Sequence, residues 1–248
     1  MSNSLAGILR SIVVAAAASS FSASAANIVS VVEKNGDTDR PSAKYTGLTF
    51  DIQNPNGTVL LPNYTVGTFG EDAKAMTDRV HEYNSASATV PLPAYLVGRD
   101  YIMIANNNRD NATLQLEITL SQISQVYLLI DNRLGDGDSA NPPNFSANMT
   151  WVSQQGWFPY SVSGNRANNP ALPDEVGIDE GANGTIENYY SVYTKFVAPG
   201  TLVLNQADNA SRNVYGVVIA AIPEPGIASL GLLGAGLLFA RRQHRNRS

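Results

Sequence analysis

The chain has 248 residues, of which 44% are hydrophobic and 15% are charged, and it contains no cysteine. This composition predicts a folded domain with a sizeable core, and the missing cysteine excludes disulfides, thiol nucleophiles, cysteine-held zinc and iron–sulfur clusters. Residues 27–222 hold 11 lysines and arginines against 20 aspartates and glutamates, a net charge of −9, and a body this acidic repels phosphate backbones and excludes nucleic acid as a partner.

Residues 1–26 have the three zones of a secretory signal peptide. Arg10 supplies a positive charge, residues 12–18 are apolar, and the small residues SASAA (22–26) suit cleavage after Ala25 or Ala26. The segment is rich in alanine and serine without amphipathic spacing, which favours export over the alternative of a buried N-terminal helix. We therefore expect signal peptidase to be a partner of the chain.

Residues 27–221 form the predicted body, in which β-branched or alternating runs are separated by glycine, proline, asparagine and aspartate. The runs are residues 28–32, 47–52, 58–61, 101–105, 112–120, 125–130, 189–197, 201–204 and 214–220. Polar and apolar residues alternate within residues 112–120, as in a strand with one wet face. A helical turn or two is expected only in the polar residues 71–83. The pattern predicts an all-β fold, an antiparallel β-sandwich of jelly-roll type, between the signal helix and a short hydrophobic C-terminal helix.

Catalytic machinery has few candidates in this body. His81 is its one histidine, so a Ser-His-Asp relay would depend on that residue, and no glycine elbow is present to expose a serine. We expect His81 to be a surface or half-buried residue. Paired carboxylates for a glycosidase are available among the many acids, but no spacing singles out a pair. The sequence therefore predicts no catalytic residue.

Two acidic loops concentrate the hard oxygen ligands that calcium takes. They are residues 131–138 (DNRLGDGD) and 173–180 (PDEVGIDE). Asp131, Asp136 and Asp138 are the candidate ligands of a structural calcium, which is the one cofactor we consider. Neither loop matches the EF-hand pattern, and the alternative is that both are solvated acidic turns.

Trp157 and Tyr160 are the candidate ligand-binding residues. Trp157 lies between Gly156 and Phe158, and we expect it at the surface, where an indole ring can stack on the apolar face of a sugar. Trp151 is expected on a strand and buried. The alternative is that these aromatic residues all fill the core, as aromatic residues in a sandwich commonly do.

Several phrases of residues 77–220 resemble β-sandwich modules of the galactose-binding-like type that are appended to secreted carbohydrate-active proteins. The phrases include LVGRDYI (96–102), VYLLIDNR (126–133) with a following Trp151, YTKF (193–196) and APGT (198–201). The resemblance implies a β-sandwich and a carbohydrate as the class of ligand.

The C-terminal segment, residues 222–248, has three parts. Pro223, Glu224 and Pro225 come first, the uncharged residues 227–240 follow, and a cluster of arginines that begins with Arg241 and Arg242 ends the chain. As a helix, the apolar run would be about 21 Å long, shorter than the roughly 30 Å hydrocarbon core of a bilayer. The arginines favour the cytoplasmic side, so the alternative to a sorting signal is a plain single-pass anchor.

This segment resembles the PEP-CTERM sorting signal of Gram-negative bacteria, although Ile222 stands where valine is usual. In that family an exosortase in the inner membrane recognises and removes the tail, in parallel with polysaccharide export. The resemblance implies that Pro223, Glu224, Pro225, Arg241 and Arg242 form the sorting motif and that an exosortase-type membrane protease is a partner.

Together these features predict an exported, non-catalytic protein. It would cross the inner membrane, be anchored there transiently, and then reach the cell surface or the extracellular biofilm matrix, where it associates with exopolysaccharide. Two alternatives remain open: a secreted carbohydrate-active enzyme, and a purely structural matrix protein without a specific ligand.

Overall fold

The fold was analysed in a computed structural model, which describes residues 27–36, 43–45, 69–163, 166, 172–207 and 212–222. The signal segment, the predicted strands at residues 47–52 and 58–61, and residues 223–248 of the predicted sorting tail lie outside these ranges. The described elements, in chain order, are β1 (Ile28–Lys34), β2 (Ala43–Tyr45), β3 (Ala73–Lys74), β4 (Glu82–Asn84), β5 (Asp100–Met103), a 3-10 helix (Asn106–Asp110), β6 (Gln115–Leu120), β7 (Ser124–Asp131), α1 (Trp151–Gln154), β8 (Phe158–Pro159), β9 (Glu175–Asp179), β10 (Asn188–Val197), β11 (Gly200–Leu204) and β12 (Gly216–Ala221).

The strands form two sheets. The smaller sheet has the order β1-β6-β11, and the larger, nine-stranded sheet has the order β2-β5-β12-β7-β10-β9-β4-β3, with β8 pairing β10 beside this path. Every pairing between the described strands is antiparallel. Buried hydrophobic residues of both sheets belong to one continuous core. The prediction of an all-β, antiparallel sandwich is therefore confirmed for the described residues.

The large sheet curls until it nearly closes into a barrel. An isolated parallel bridge joins Met76, just after β3, to Ile104, just after β5, and the Tyr101 hydroxyl donates to the carbonyl oxygen of Lys74 at 3.2 Å. The interior is filled by aromatic rings, with the Tyr83 ring centroid 4.9 Å from that of Phe69 and 6.5 Å from that of Tyr190. Strands that are distant in the hydrogen-bonded order thus meet through side chains inside the curl.

Strand β6 shows most directly how sequence pattern becomes structure. Leu116, Ile118 and Leu120 are buried, while the residues between them are partly exposed. This alternation is the expected result of side chains pointing to opposite faces of a strand. The apolar face of β6 packs into the core and its polar face is partly exposed to solvent, so the predicted alternation is confirmed.

Two expectations about local structure are wrong. Residues 71–83 form turns and short strands rather than a helix, because β3 and the start of β4 pair with each other there. The acidic stretch 173–180, expected as a loop, contains β9, in which Val176 and Ile178 are fully buried. An acidic residue can stand at the end of this buried strand because the Asp179 carboxylate accepts hydrogen bonds from the backbone N–H groups of Gly181 and Asn183.

Trp151 is buried, as expected, with 5% of its surface exposed. The prediction that Trp151 lies on a strand is wrong, since this residue begins the short helix α1. The helix places the indole edge against Tyr215, with ring centroids 5.7 Å apart. Its Nε1–H donates to the carbonyl oxygen of Gln206 at 2.8 Å, which satisfies the one polar atom of the buried ring.

A test of the curled sheet is the substitution Gly216→Ala. A Cβ atom on Gly216 would lie 2.1 Å from Oη and 3.1 Å from Cζ of Tyr83, so we expect a loss of about 1–3 kcal/mol from overpacking. Urea denaturation of the single variants Gly216→Ala and Tyr83→Phe and of the double variant measures their coupling. Part of the loss should be recovered in the double variant, because it lacks the nearest atom; an unchanged stability of Gly216→Ala would contradict the described contact.

Candidate functional site

A cavity of about 280 Å³ lies on the outer face of the large sheet. Tyr190 points into the curled interior towards Tyr83, so its neighbours in β10, Tyr189 and Ser191, point to the opposite face. Polar groups from several segments line the cavity: Ser87, Ser139, Arg166, Glu175 and Tyr189. Their combination of hydroxyl, guanidinium and carboxylate groups on a rigid sheet gives the cavity the capacity to bind a polar ligand.

A closed ring of hydrogen bonds joins two residues that line this cavity, Arg166 and Glu175, to Ser191 and Asn132 beside it. Arg166 Nη2 donates to Ser191 Oγ at 2.9 Å, and Ser191 Oγ donates to Asn132 Oδ1 at 2.6 Å. Asn132 Nδ2 then donates to Glu175 Oε1 at 2.7 Å. An ion pair between Glu175 and Arg166 closes the ring. Sheet register produces this arrangement, because Glu175 in β9 is directly opposite Ser191 in β10 and Asn132 follows β7 on the other side.

Arg166 is the most unusual residue of the cavity. Only 6% of it is exposed, and its Nε and Nη1 atoms have no hydrogen-bond partner within the part of the chain that the structure describes. Burial lowers the pKa of Arg166 and raises the pKa of Glu175. Because each charge compensates the other at close range, the buried pair can remain ionised.

A second cavity, also of about 280 Å³, adjoins the first. Ser87 lines both cavities, and the second is also lined by Asn84, Ser85, Gly184 and Ile186, among other residues. The segment around Ser85 is held in place by Glu71, whose Oε2 accepts the Ser85 backbone N–H at 2.9 Å. The two cavities therefore form adjacent compartments on either side of one anchored loop.

The candidate calcium ligands do not converge. Both carboxylate oxygens of Asp131 are occupied: Arg133 Nε donates to Oδ1 at 2.9 Å, and Arg133 Nη2 and the backbone N–H of Asn213 donate to Oδ2 at 2.6 and 3.1 Å. Asp136 and Asp138 instead organise their own loop, and both accept hydrogen bonds from Asn141 Nδ2. Within the described part of the chain, no group of three or more histidine, aspartate or glutamate residues has an arrangement suited to a metal ion.

The expectation of a surface-exposed Trp157 is wrong. Its ring belongs to the core with 6% exposure, and the Lys195 ammonium lies 6.0 Å from the ring centroid. Tyr160 is half-buried and packs edge-on against Tyr95 and Tyr127, with centroids 4.8 and 5.6 Å away. Neither ring lines the two cavities described above, so the structure does not bring these two candidates into that site.

His81 is likewise more buried than expected, with 8% exposure. No described residue forms a hydrogen bond with its Nδ1 atom. Burial is the largest cause of a lowered His81 pKa, although the nearby carboxylate of Glu180 acts in the opposite direction. A histidine in such a place stays neutral near pH 7, which indicates a packing role at the end of the curled sheet.

Sequence reasoning missed the cavity and its arginine. A signal was present, because Arg166 is the one positively charged residue among seven acids in residues 134–194. Its partners could not be inferred, however, since Asn132, Glu175 and Ser191 come together only through the register of three strands.

No protein family, no curated protein and no solved structure matches this chain. Within the described ranges, which exclude residues 223–248, we find no helix that has both the length and the apolar character needed to cross a membrane. The class of the protein that is established is therefore its fold, an antiparallel β-sandwich with one sheet curled almost into a barrel.

His81 gives a prediction about pH. Because its folded pKa lies below the ordinary value of 6.5, the unfolded chain binds a proton that the folded chain does not, and stability should fall as the pH drops through 6.5. This residue alone would contribute a slope of up to about 1.4 kcal/mol per pH unit. Urea midpoints at pH 8, 7, 6 and 5 for the wild type and His81→Leu check it. The two profiles should run parallel above pH 7.5 and converge or cross below pH 6.5, whereas parallel profiles down to pH 5 would contradict it.

Proposed function

We propose that this protein is an exported, non-catalytic protein of the cell surface or extracellular matrix that binds exopolysaccharide through the two adjoining cavities. The observation that carries the proposal is the pair of polar compartments that share Ser87. A small molecule needs one compartment, whereas a polymer of repeating polar units can place successive units in neighbouring ones. This geometry supports a chain-like ligand.

The lining also suits a sugar. Ser87, Ser139 and Tyr189 offer hydroxyl groups, and Arg166 and Glu175 offer a donor and an acceptor, so a ring with several hydroxyls finds a partner in several directions. The first cavity, at about 280 Å³, is near the lower end of the range for ligand sites, roughly 300 Å³. A single monosaccharide unit per compartment fits this size.

A hydrolytic role has less support. Each of the two cavities has one carboxylate among its described lining residues, Glu175 in the first and Glu71 in the second. Both are already bound within the protein, Glu175 by Arg166 and Asn132 and Glu71 by Ser85. Glycoside hydrolysis ordinarily needs two carboxyl groups across the scissile bond. Binding without cleavage is therefore the function that we propose.

The route to the matrix rests on the two ends of the sequence. The signal-like residues 1–26 and the tail with Pro223, Glu224 and Pro225 support export followed by processing by an exosortase-type enzyme. A transient membrane anchor of this kind would hold the body on the outer side of the inner membrane until the tail is removed. The arrival of the protein with newly exported polysaccharide would then place the cavities beside their ligand.

Binding is tested by co-sedimentation of the full chain with purified exopolysaccharide of the producing strain. The cavity-filling substitution Ala140→Trp should weaken binding at least about tenfold, a loss of about 1.4 kcal/mol, because Ala140 lines the first cavity. Ala112→Trp is the matched control, since Ala112 is exposed and does not line either cavity. Absence of binding by the wild type would favour the structural alternative, and release of shorter sugars would favour the enzyme.

Sorting is tested separately by mass spectrometry of the mature C-terminus in cells with and without the exosortase. We expect removal of the tail near Pro223 in the exosortase-containing cells, and we expect Glu224→Ala to prevent it because the change removes the charged residue of the motif. Asp110→Ala, which removes an exposed carboxylate from the body, serves as the control and should be processed normally. An identical mass for every protein in both strains would contradict exosortase processing.

A further inference from the structure

The guanidinium group of Arg166 is only partly used by the protein. Its Nη2 atom donates to Ser191 and forms the ion pair with Glu175, while Nε and Nη1 have no partner in the described ranges, which omit residues 164–165 and 167–171. The residue is more than nine-tenths buried and lines the cavity. A buried donor without a partner destabilises the free protein, and more so when it is charged, so a ligand that accepts hydrogen bonds there relieves this penalty on binding.

We propose that the first cavity recognises an acidic sugar, a uronic acid unit of the exopolysaccharide, through a hydrogen-bonded contact between the sugar carboxylate and Arg166. This inference rests on the proposed function, because it specifies which sugar the same cavity selects. Arginine favours carboxylates through short, charge-assisted hydrogen bonds. Ser87 and Ser139 on the rim are placed to meet the hydroxyl groups of the same ring.

The local charge favours a singly charged group over a doubly charged one. Glu175 already balances Arg166, and the surrounding body carries an excess of acids. A phosphate dianion would bring two negative charges to a site with no remaining net positive charge, and its desolvation would be poorly compensated. A carboxylate brings one charge and can share the guanidinium with Glu175, since it would bind through Nη1 rather than Nη2.

Burial also distinguishes this contact from non-specific ion exchange. Attraction between exposed charges is screened by salt over about 8–10 Å at ordinary ionic strength, but buried pairs are screened much less. With a net charge of −9 in residues 27–222, the surface as a whole repels an acidic polymer. Specific binding through Arg166 should therefore persist at high salt, where binding by a basic patch would disappear.

Isothermal titration of the full chain with three soluble probes tests the inference: a trigalacturonic acid, a neutral galactose trisaccharide and a sulfated galactose trisaccharide. We expect the acidic probe to bind about tenfold or more tightly than the neutral probe, and we expect this ratio to be at least as large in 0.5 M NaCl, where the repulsion between the acidic body and the probe is screened. Equal affinities for the acidic and neutral probes would overturn the inference and leave the proposed function standing. Tighter binding of the sulfated probe would overturn the carboxylate assignment. No binding of any probe would overturn the inference, and the proposed function would then stand or fall by the co-sedimentation experiment.

The variant for this experiment is Arg166→Gln combined with Glu175→Gln, because the single change would leave a buried carboxylate without its counter-charge and could prevent folding. The double variant should lose the preference for the acidic probe, so that it binds the acidic and neutral probes with about equal affinity. Arg99→Gln is the matched control, since Arg99 is exposed and does not line the cavity. A preference that survives in the double variant would overturn the role of Arg166.

Discussion

The fit of Tyr83 against Gly216 inside the curled sheet is the constraint on which the rest of the structure depends. Tyr83 is on β4, near one end of the hydrogen-bonded order, and Gly216 begins β12, near the other. The two strands can approach so closely only because residue 216 has no side chain. The curl that results turns the interior side of β10 towards aromatic rings and leaves its opposite side to carry polar groups.

That division explains how the body buries polar groups without cysteine or a metal cluster among its described residues. Several buried charged and amide side chains are joined by hydrogen bonds and ion pairs to residues of other strands or loops. Asp131 with Arg133 occupies one such network, and Glu175 with Arg166 occupies the other. The second network differs in one respect that bears on function, since its arginine retains donors that have no partner among the described residues.

Strands with strong local patterns could be predicted from the sequence, and residues fixed by long-range register could not. The alternation in β6 and the apolar run of β7 each predict a strand from the sequence alone, because a strand in a sandwich needs one or both of its faces to be apolar. Strand β9 resists prediction because glutamate and aspartate stand at its two ends, where the structure satisfies them with an ion pair and with backbone N–H groups. The burial of Trp157 is hard to predict for a related reason. Gly156 and Pro159 on either side of it indicate a turn, but they do not show which side of the turn faces the core.

The acidic body repels the proposed ligand at long range, whereas Arg166 in the cavity attracts it at short range. A net charge of −9 over residues 27–222 slows the approach of an acidic polymer, and added salt lessens that repulsion. The contact with Arg166 is made at short range in a buried place, where salt has little influence. For the proposed ligand the association rate should therefore rise with ionic strength while the dissociation rate changes little, so that affinity increases with salt. This dependence is opposite in sign to that of proteins that hold acidic polymers on exposed lysine and arginine, and it would make binding strongest in a salty matrix crowded with polyanions.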